Sequence, residues 1–291
     1  MHVPPALFPR PRSRITGHRG AQDDSLYVYF RGAELTSPPT TTVSLAEPVW
    51  HAESLRLTAF WNADARVESQ EWWAELVGRA PETRTSRPKA GEFLDQGPYE
   101  GGNLTLSIRP ERVDWQLSPL IQEEEDPSFL EIGPMSTSFP PFIDTMKRWL
   151  SKGAPITRLA LGVVLHLPAP SKEKGYERLA SFLKTVTIDP KGSSDFLYQI
   201  NRPRKTTVGI TELTINRLSI WSVAASKRFR VVASADGAET WNSPAAHSCR
   251  LQVDVNTPSD YKGNLPAAKL HPLLDELVDL ALEISTKGDI P

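Results

Sequence analysis

Residues 194–226, SDFLYQINRPRKTTVGITELTINRLSIWSVAAS, constrain the fold more than any other stretch, because they read as two long strands joined by a turn. Phe196, Tyr198 and Ile200 alternate with Leu197, Gln199 and Asn201, the period-2 signature of a strand with two different faces. Asn201-Arg202 closes that run, and Pro203 stops further pairing because it has no N–H to give to a ladder. Gly209 lies in the connection, where it can take a positive φ at little steric cost. In the second strand Leu213 and Ile215 point one way, Leu218 and Ile220 have the opposite parity, and Trp221 and Val223 switch back. Such a switch requires a bulge or apolar cover on both faces, and cover around Leu218 to Trp221 is the expectation. A second Asn-Arg pair, Asn216-Arg217, precedes that segment. An unpaired buried guanidinium is very costly, so Arg217 must face solvent or be held by a carboxylate.

The rest of the chain reads as cover for this hairpin. Strands are expected over 26–30, 55–61, 83–88, 104–109, 112–117, 156–167, 230–233 and 250–255, and 91–102 reads as a Gly- and Pro-rich loop. A helix capped by Ser69 carries Trp72, Trp73, Leu76 and Val77 on one face and stops at Gly78. A second, over 139–152, has Pro141 in its first turn and an apolar stripe of Phe142, Ile143, Met146, Trp149 and Leu150. A third opens at Ser171 with Tyr176, Leu179, Ala180 and Leu183 inward, and a fourth covers about 270–286. Strands in runs, interrupted by single helices, predict an α+β fold: largely antiparallel sheet with amphipathic helices packed on one face. Strands followed by the Phe139 helix, then strands followed by the Leu270 helix, raise an expectation of two similar halves. The expected organisation is a basic Pro/Arg-rich arm at 1–24, then α+β halves at 25–135 and 136–291, which one continuous domain could also contain.

Bulk charge gives little direction, since the net charge is −2 at pH 7 and the pI is about 6.3. The basic groups are local. Arg10, Arg12 and Arg14 lie in the arm; Arg202, Arg204 and Lys205 end one strand; Lys227, Arg228 and Arg230 follow the next. With Arg217 they are the candidate binding residues, either solvating strand ends or contacting phosphate. The single cysteine, Cys249, excludes an intramolecular disulfide and a CxxC site and reads as a buried thiol. No GxGxxG, Walker, HExxH or GxSxG motif and no Cys/His metal spacing occurs, so no catalytic residue and no cofactor is expected. The six histidines are scattered singly, with His166 in an apolar strand reading as a satisfied core or edge residue. Asp254 and Asp260 are the one weak metal alternative, against a reading in which Asp254 and Asn256 cap a turn. No run approaches the roughly 18 apolar residues of a membrane span, and the first residues lack the apolar core of a signal peptide, so a cytoplasmic location without membrane contact is expected.

A Trp-bearing helix (Trp149) leads into RLALG at 158–162, and LQVDVNT at 251–257 precedes the helix LLDELVDLALEISTKGD. This pattern resembles a sporadically distributed family of uncharacterised bacterial proteins, over the last half of the chain. The usual Asn at the end of the Arg-Gly strand is replaced here by His166-Leu167-Pro168. The resemblance implies a bacterial cytosolic protein without an assigned activity, and sporadic distribution suggests defence-associated gene sets. The expected function is a non-catalytic binding or scaffold subunit, motivated by eight tryptophans and the missing catalytic motifs. Protein partners would dock on the sheet or the aromatic helices, and a homo-oligomer is compatible with this. The alternatives are nucleic-acid binding through the arm and strand-end cations, and a metal-dependent hydrolase or nuclease built on Asp254 and Asp260.

Overall fold

The computed structural model describes residues 49–62, 71–120, 129–227, 229–234, 237–242, 244–263 and 265–291. The sequence expectations at the N-terminal arm, the 26–30 strand, the Ser69 cap and the acidic run at 123–126 lie outside these residues. Glu47–Pro291 forms one compact unit. Its sheet is built from β1 (His51–Phe60), β2 (Thr83–Arg87), β3 (Glu92–Tyr99), β4 (Gly102–Arg109), β5 (Arg112–Pro119), β6 (Gly133–Pro134), β7 (Arg158–Ala169), β8 (Leu197–Asn201), β9 (Arg204–Lys205), β10 (Thr214–Ser226) and β13 (Ala246–Asn256). β11 (Phe229–Ser234) and β12 (Gly237–Asn242) pair separately as a two-stranded ribbon. The helices are α1 (Trp72–Val77), α2 (Met135–Leu150), α3 (Lys172–Phe182) and α4 (Ala267–Lys287). The predicted α+β class with a large antiparallel sheet is what the chain adopts.

The strand order is β2-β3-β4-β5-β1-β7-β13-β10-β8, with β6 added to β1 and β9 to β10. On either side of the central β1–β7 pair the same path recurs. A first strand is followed by a helix, then by strands that return to lie beside the first, then by a closing helix: β1, α1, β2 to β5, α2; and β7, α3, β8 to β13, α4. In this division α2 closes the first half, so the repeat breaks after Leu150. β1 and β7 are antiparallel, with Leu57 opposite Leu161, and the sheet runs unbroken through the join.

One face of the sheet carries the core. Leu55, Leu57 and Ala59 of β1, Leu159 to Leu167 at odd positions of β7, and Leu251, Val253 and Val255 of β13 are buried there. Helical residues such as Phe142, Met146, Leu273, Leu274 and Leu277 close over them. Burying each such side chain contributes roughly 1.5–3 kcal/mol. Seven of the eight tryptophans (Trp50, Trp61, Trp72, Trp73, Trp115, Trp149 and Trp221) are at most 6% exposed. Trp72, Trp149, Trp115 and Trp73 form one chain of ring contacts, and Trp221 stacks on Phe182 at 5.5 Å. The aromatic helices are therefore core and offer no aromatic platform to a partner.

Three local expectations change. Residues 92–99 are strand β3, not loop: Gly97 packs so closely on Trp73 and the Glu82 backbone that a Cβ would crowd both. Pro98 falls beyond the part of β3 that β2 covers, where its missing N–H costs no ladder bond. Helix α2 starts at Met135, four residues before the expected Phe139, because its N–H is anchored on the Trp50 carbonyl, and it carries Pro140 and Pro141 in its second turn. Finally, β10 has neither bulge nor face switch. Its register against β8 and β9 is regular about Gly209 (φ +73°), and Ile215, Arg217, Ser219, Trp221 and Val223 share the helix-covered face. Two polar residues on the inner face and two apolar ones, Leu218 and Ile220, on the outer face had disguised the alternation.

Candidate functional site

No described helix packs on the opposite face of the sheet, so its side chains form an open surface. Strand register sets them in rows. Gln116, Arg56, Gly162, Asp254 and Leu218 lie side by side across β5, β1, β7, β13 and β10; the next row holds Ser54, Val164, Gln252 and Ile220. These residues line a groove of about 330 Å³. Gly162 lets the Arg56 side chain lie flat across β7: a Cβ there would stand 3.4 Å from Arg56 Nη2. Arg56 makes no hydrogen bond or ion pair among the described residues, while neighbouring cations on this face are committed. Arg112 is bidentate on Asp114 at 2.7 Å, and Arg250 is bidentate on Glu53 at 2.8–2.9 Å.

The two Asn-Arg pairs each divide between the faces. Asn201 and Asn216 point to the open face and join a relay: Asn201 Nδ2 donates to Asn216 Oδ1, Asn216 Nδ2 to Asn256 Oδ1, and Asn256 Nδ2 to Asp254 Oδ1. Asp254 and Asn256 are thus bonded side chain to side chain within β13 and do not cap a turn. Arg202 and Arg217 go the other way, Arg217 to α4 and Arg202 to the chain just after it. Arg202 is bidentate on Asp289, which is buried and also accepts from Tyr198 Oη at 2.9 Å. Arg217, 3% exposed, donates to Glu283 Oε2 at 3.0 Å, as does Arg204 at 2.9 Å. Arg202 holds the Asp289 carboxyl below its usual range, and burial lowers the Arg217 guanidinium.

Of the cations expected to bind phosphate, Arg202, Arg204 and Arg217 are thus paired from within. Lys205 and Lys227 are exposed without an ion pair among the described residues. Arg10, Arg12, Arg14, Arg228 and the side chain of Arg230 lie outside them. Asp260 falls in the turn after β13, and neither it nor Asp254 joins a group of three potential metal ligands among the described residues.

Such a group exists elsewhere. His51 and His166 face each other across β1 and β7, and Glu131, just before β6, reaches both. Glu131 Oε2 lies 3.0 Å from His51 Nδ1 and 2.9 Å from His166 Nε2. Yet both nitrogens are buried without an aligned hydrogen bond, so these are close approaches and not ordinary donor–acceptor pairs. His166 is 2% exposed, against the Phe129 ring at 5.3 Å. Its imidazole is pushed below its ordinary value by burial, with Glu131 pulling the other way. His166 is buried, as expected of a core histidine; its Nε2 meets the Glu131 carboxylate at 2.9 Å, and its Nδ1 has no hydrogen-bond partner among the described residues. No spacing signal marks the group in one dimension, because its members are 80 and 35 residues apart and meet only through the sheet.

The chain matches no family profile, no curated protein and no solved structure.

Proposed function

We propose that this protein is a non-catalytic binding subunit that receives an extended, acidic segment of a protein partner across the open face of its sheet. The observation that carries the reading is the Arg56 guanidinium at the centre of the groove, unpaired among the described residues and flanked by Val164, Leu218 and Ile220. A half-buried cation without a partner is a strong donor for a carboxylate, in a fork geometry that fits it bidentately. The apolar neighbours supply area that gains from burial. Five strands span about 19 Å at their usual spacing of about 4.8 Å, which suits about six residues of extended chain. A polyphosphate strand is the poorer occupant, because it needs a row of free cations and Asp289 and Glu283 already occupy Arg202, Arg204 and Arg217.

The test is selection of binding peptides from a random displayed library by the purified full chain, followed by titration against Arg56→Glu. Enriched peptides should carry an acidic residue flanked by apolar ones. A hydrogen bond to a charged group is worth about 1.5–3 kcal/mol, so Arg56→Glu should weaken them by about 10- to 100-fold. Peptides that bind wild type and variant equally, or steeply salt-dependent binding of DNA or RNA oligonucleotides that survives Arg56→Glu, would overturn the reading.

A further inference from the structure

At the end of the same face, where β1 is bulged, three side chains from three separate segments converge. Between Ala52 and Ser54 the β1–β7 register shifts, making Glu53 the extra residue. The shift places His51 on the open face, directly opposite His166. The short β6 ladder, with Ala52 opposite Gly133 and the Ile132 N–H on the Ala52 carbonyl, fixes the backbone that carries Glu131. Bidentate pairing with Arg250 occupies Glu53 and leaves Glu131 as the carboxylate of the group. His51 and His166 are thus held on paired strands, and Glu131 directly precedes the Ile132 N–H that bonds the Ala52 carbonyl.

We propose that His51 Nδ1, His166 Nε2 and Glu131 form a binding site for one divalent transition-metal ion of the zinc class. Two imidazoles and one carboxylate are a donor set such ions take, usually with a further position left to water. The three ligand atoms lie within 4.8 Å of one another. A tetrahedral ion with bonds of about 2.1 Å holds its ligand atoms about 3.4 Å apart, so capture needs only small side-chain movement. The second, independent observation is His166 itself. It is 98% buried, its Nδ1 has no hydrogen-bond partner among the described residues, and its Nε2 meets the Glu131 oxygen at 2.9 Å only out of line. Native structures seldom leave a buried polar group so, and an ion on Nε2 supplies what the Glu131 oxygen, lying out of alignment, does not. The His51 and Glu131 side chains are 25% and 35% exposed, which leaves an approach from solvent for the ion and for a fourth ligand. Calcium and magnesium prefer all-oxygen sites and are excluded by the imidazoles.

The experiment strips the full chain with a chelator and titrates it with Zn²⁺ against a chromophoric competitor, and with Co²⁺ followed by its visible absorption. One ion per chain should bind, Co²⁺ should give the intense bands of a tetrahedral site, and Zn²⁺ should raise the melting temperature, since a ligand that binds only the folded state stabilises it. Glu131→Gln and His51→Ala, both at partly exposed positions that should fold, should each weaken binding at least about tenfold, the scale on which even outer-shell partners act. Failure of wild type to take up stoichiometric metal, or uptake unchanged in both variants, would overturn the proposal. Peptide docking at Arg56 is scored separately, so the two readings stand or fall independently.

Discussion

Asp289→Asn isolates the contact that ties the hairpin to the chain just after the last helix. The Asp289 carboxylate is 2% exposed and accepts from Arg202 Nε at 2.5 Å, Arg202 Nη2 at 2.7 Å and Tyr198 Oη at 2.9 Å. Asparagine keeps the shape but loses the charge and turns an NH₂ toward donors that need an acceptor. Removing one member of a buried ion pair costs about 3–5 kcal/mol; because the Arg202 side chain is 26% exposed and water can solvate it partly, about 2–3 kcal/mol is expected here. For a unit of this size that lowers the melting temperature by roughly 5–10 °C. The sign with pH follows from the depressed Asp289 pKa. Its stabilisation is fully present above the unfolded carboxyl value of about 3.9 and is lost as pH falls through the lower folded value. Urea unfolding of both proteins at pH 7, 5 and 3.5 reads this directly. The gap should be full at pH 7 and 5 and should narrow toward pH 3.5 and below. A difference under about 0.5 kcal/mol at pH 7, the scale of an ordinary surface substitution, would refute the account, and so would a gap that persists unchanged into strong acid.

Glu283→Gln removes the carboxylate that faces the buried Arg217 and should destabilise by about 3–5 kcal/mol in urea unfolding, whereas adding Arg217→Met should recover part of the loss, because no buried charge is then left unpaired. A double variant no better than the single one would show that Arg217 is not the strained partner. Cys249 is fully buried and burial pushes its thiol up to about 12, so it stays neutral at ordinary pH and should react with an aromatic disulfide reagent only once urea unfolds the chain. Rapid labelling of the native protein would contradict that environment.

The hairpin about Gly209 was legible because local rules converge there: alternation in Phe196 to Asn201, a stop at Pro203, and a glycine able to take φ +73°. The helices α1, α3 and α4 were legible from their apolar stripes. What misled was chemistry assigned to the wrong face. Arg217 and Ser219 lie inward because α4 brings Glu283, 66 residues away in sequence, to meet the guanidinium and because Trp221 Nε1 donates to Ser219 Oγ at 3.0 Å. Gly97 and Pro98 mimic a loop, but the first is demanded by Trp73 and the second is tolerated where β3 has lost its outer neighbour. The strand-end arginines look like a phosphate patch in one dimension. Neutralisation of Arg202, Arg204 and Arg217 depends on Glu283 and Asp289, more than 60 residues away.

The histidine site was illegible for a sharper reason. In β1 the apolar residues Leu55, Leu57 and Ala59 are odd-numbered and face the helices, so strict alternation assigns odd-numbered His51 to the same buried face. The single extra residue at Glu53 inverts that parity. Ala52 becomes the inward residue, opposite Leu165, and His51 emerges opposite His166. A bulge leaves no composition signature of its own. Here it follows from pairing with both neighbours, β7 on one side and the two-residue β6 on the other, and from Arg250 of β13, which holds the displaced Glu53 carboxylate at 2.8–2.9 Å. Register therefore creates the site. The residues that make the metal proposal are ordinary in sequence and become unusual only once a one-residue slip has turned His51 over.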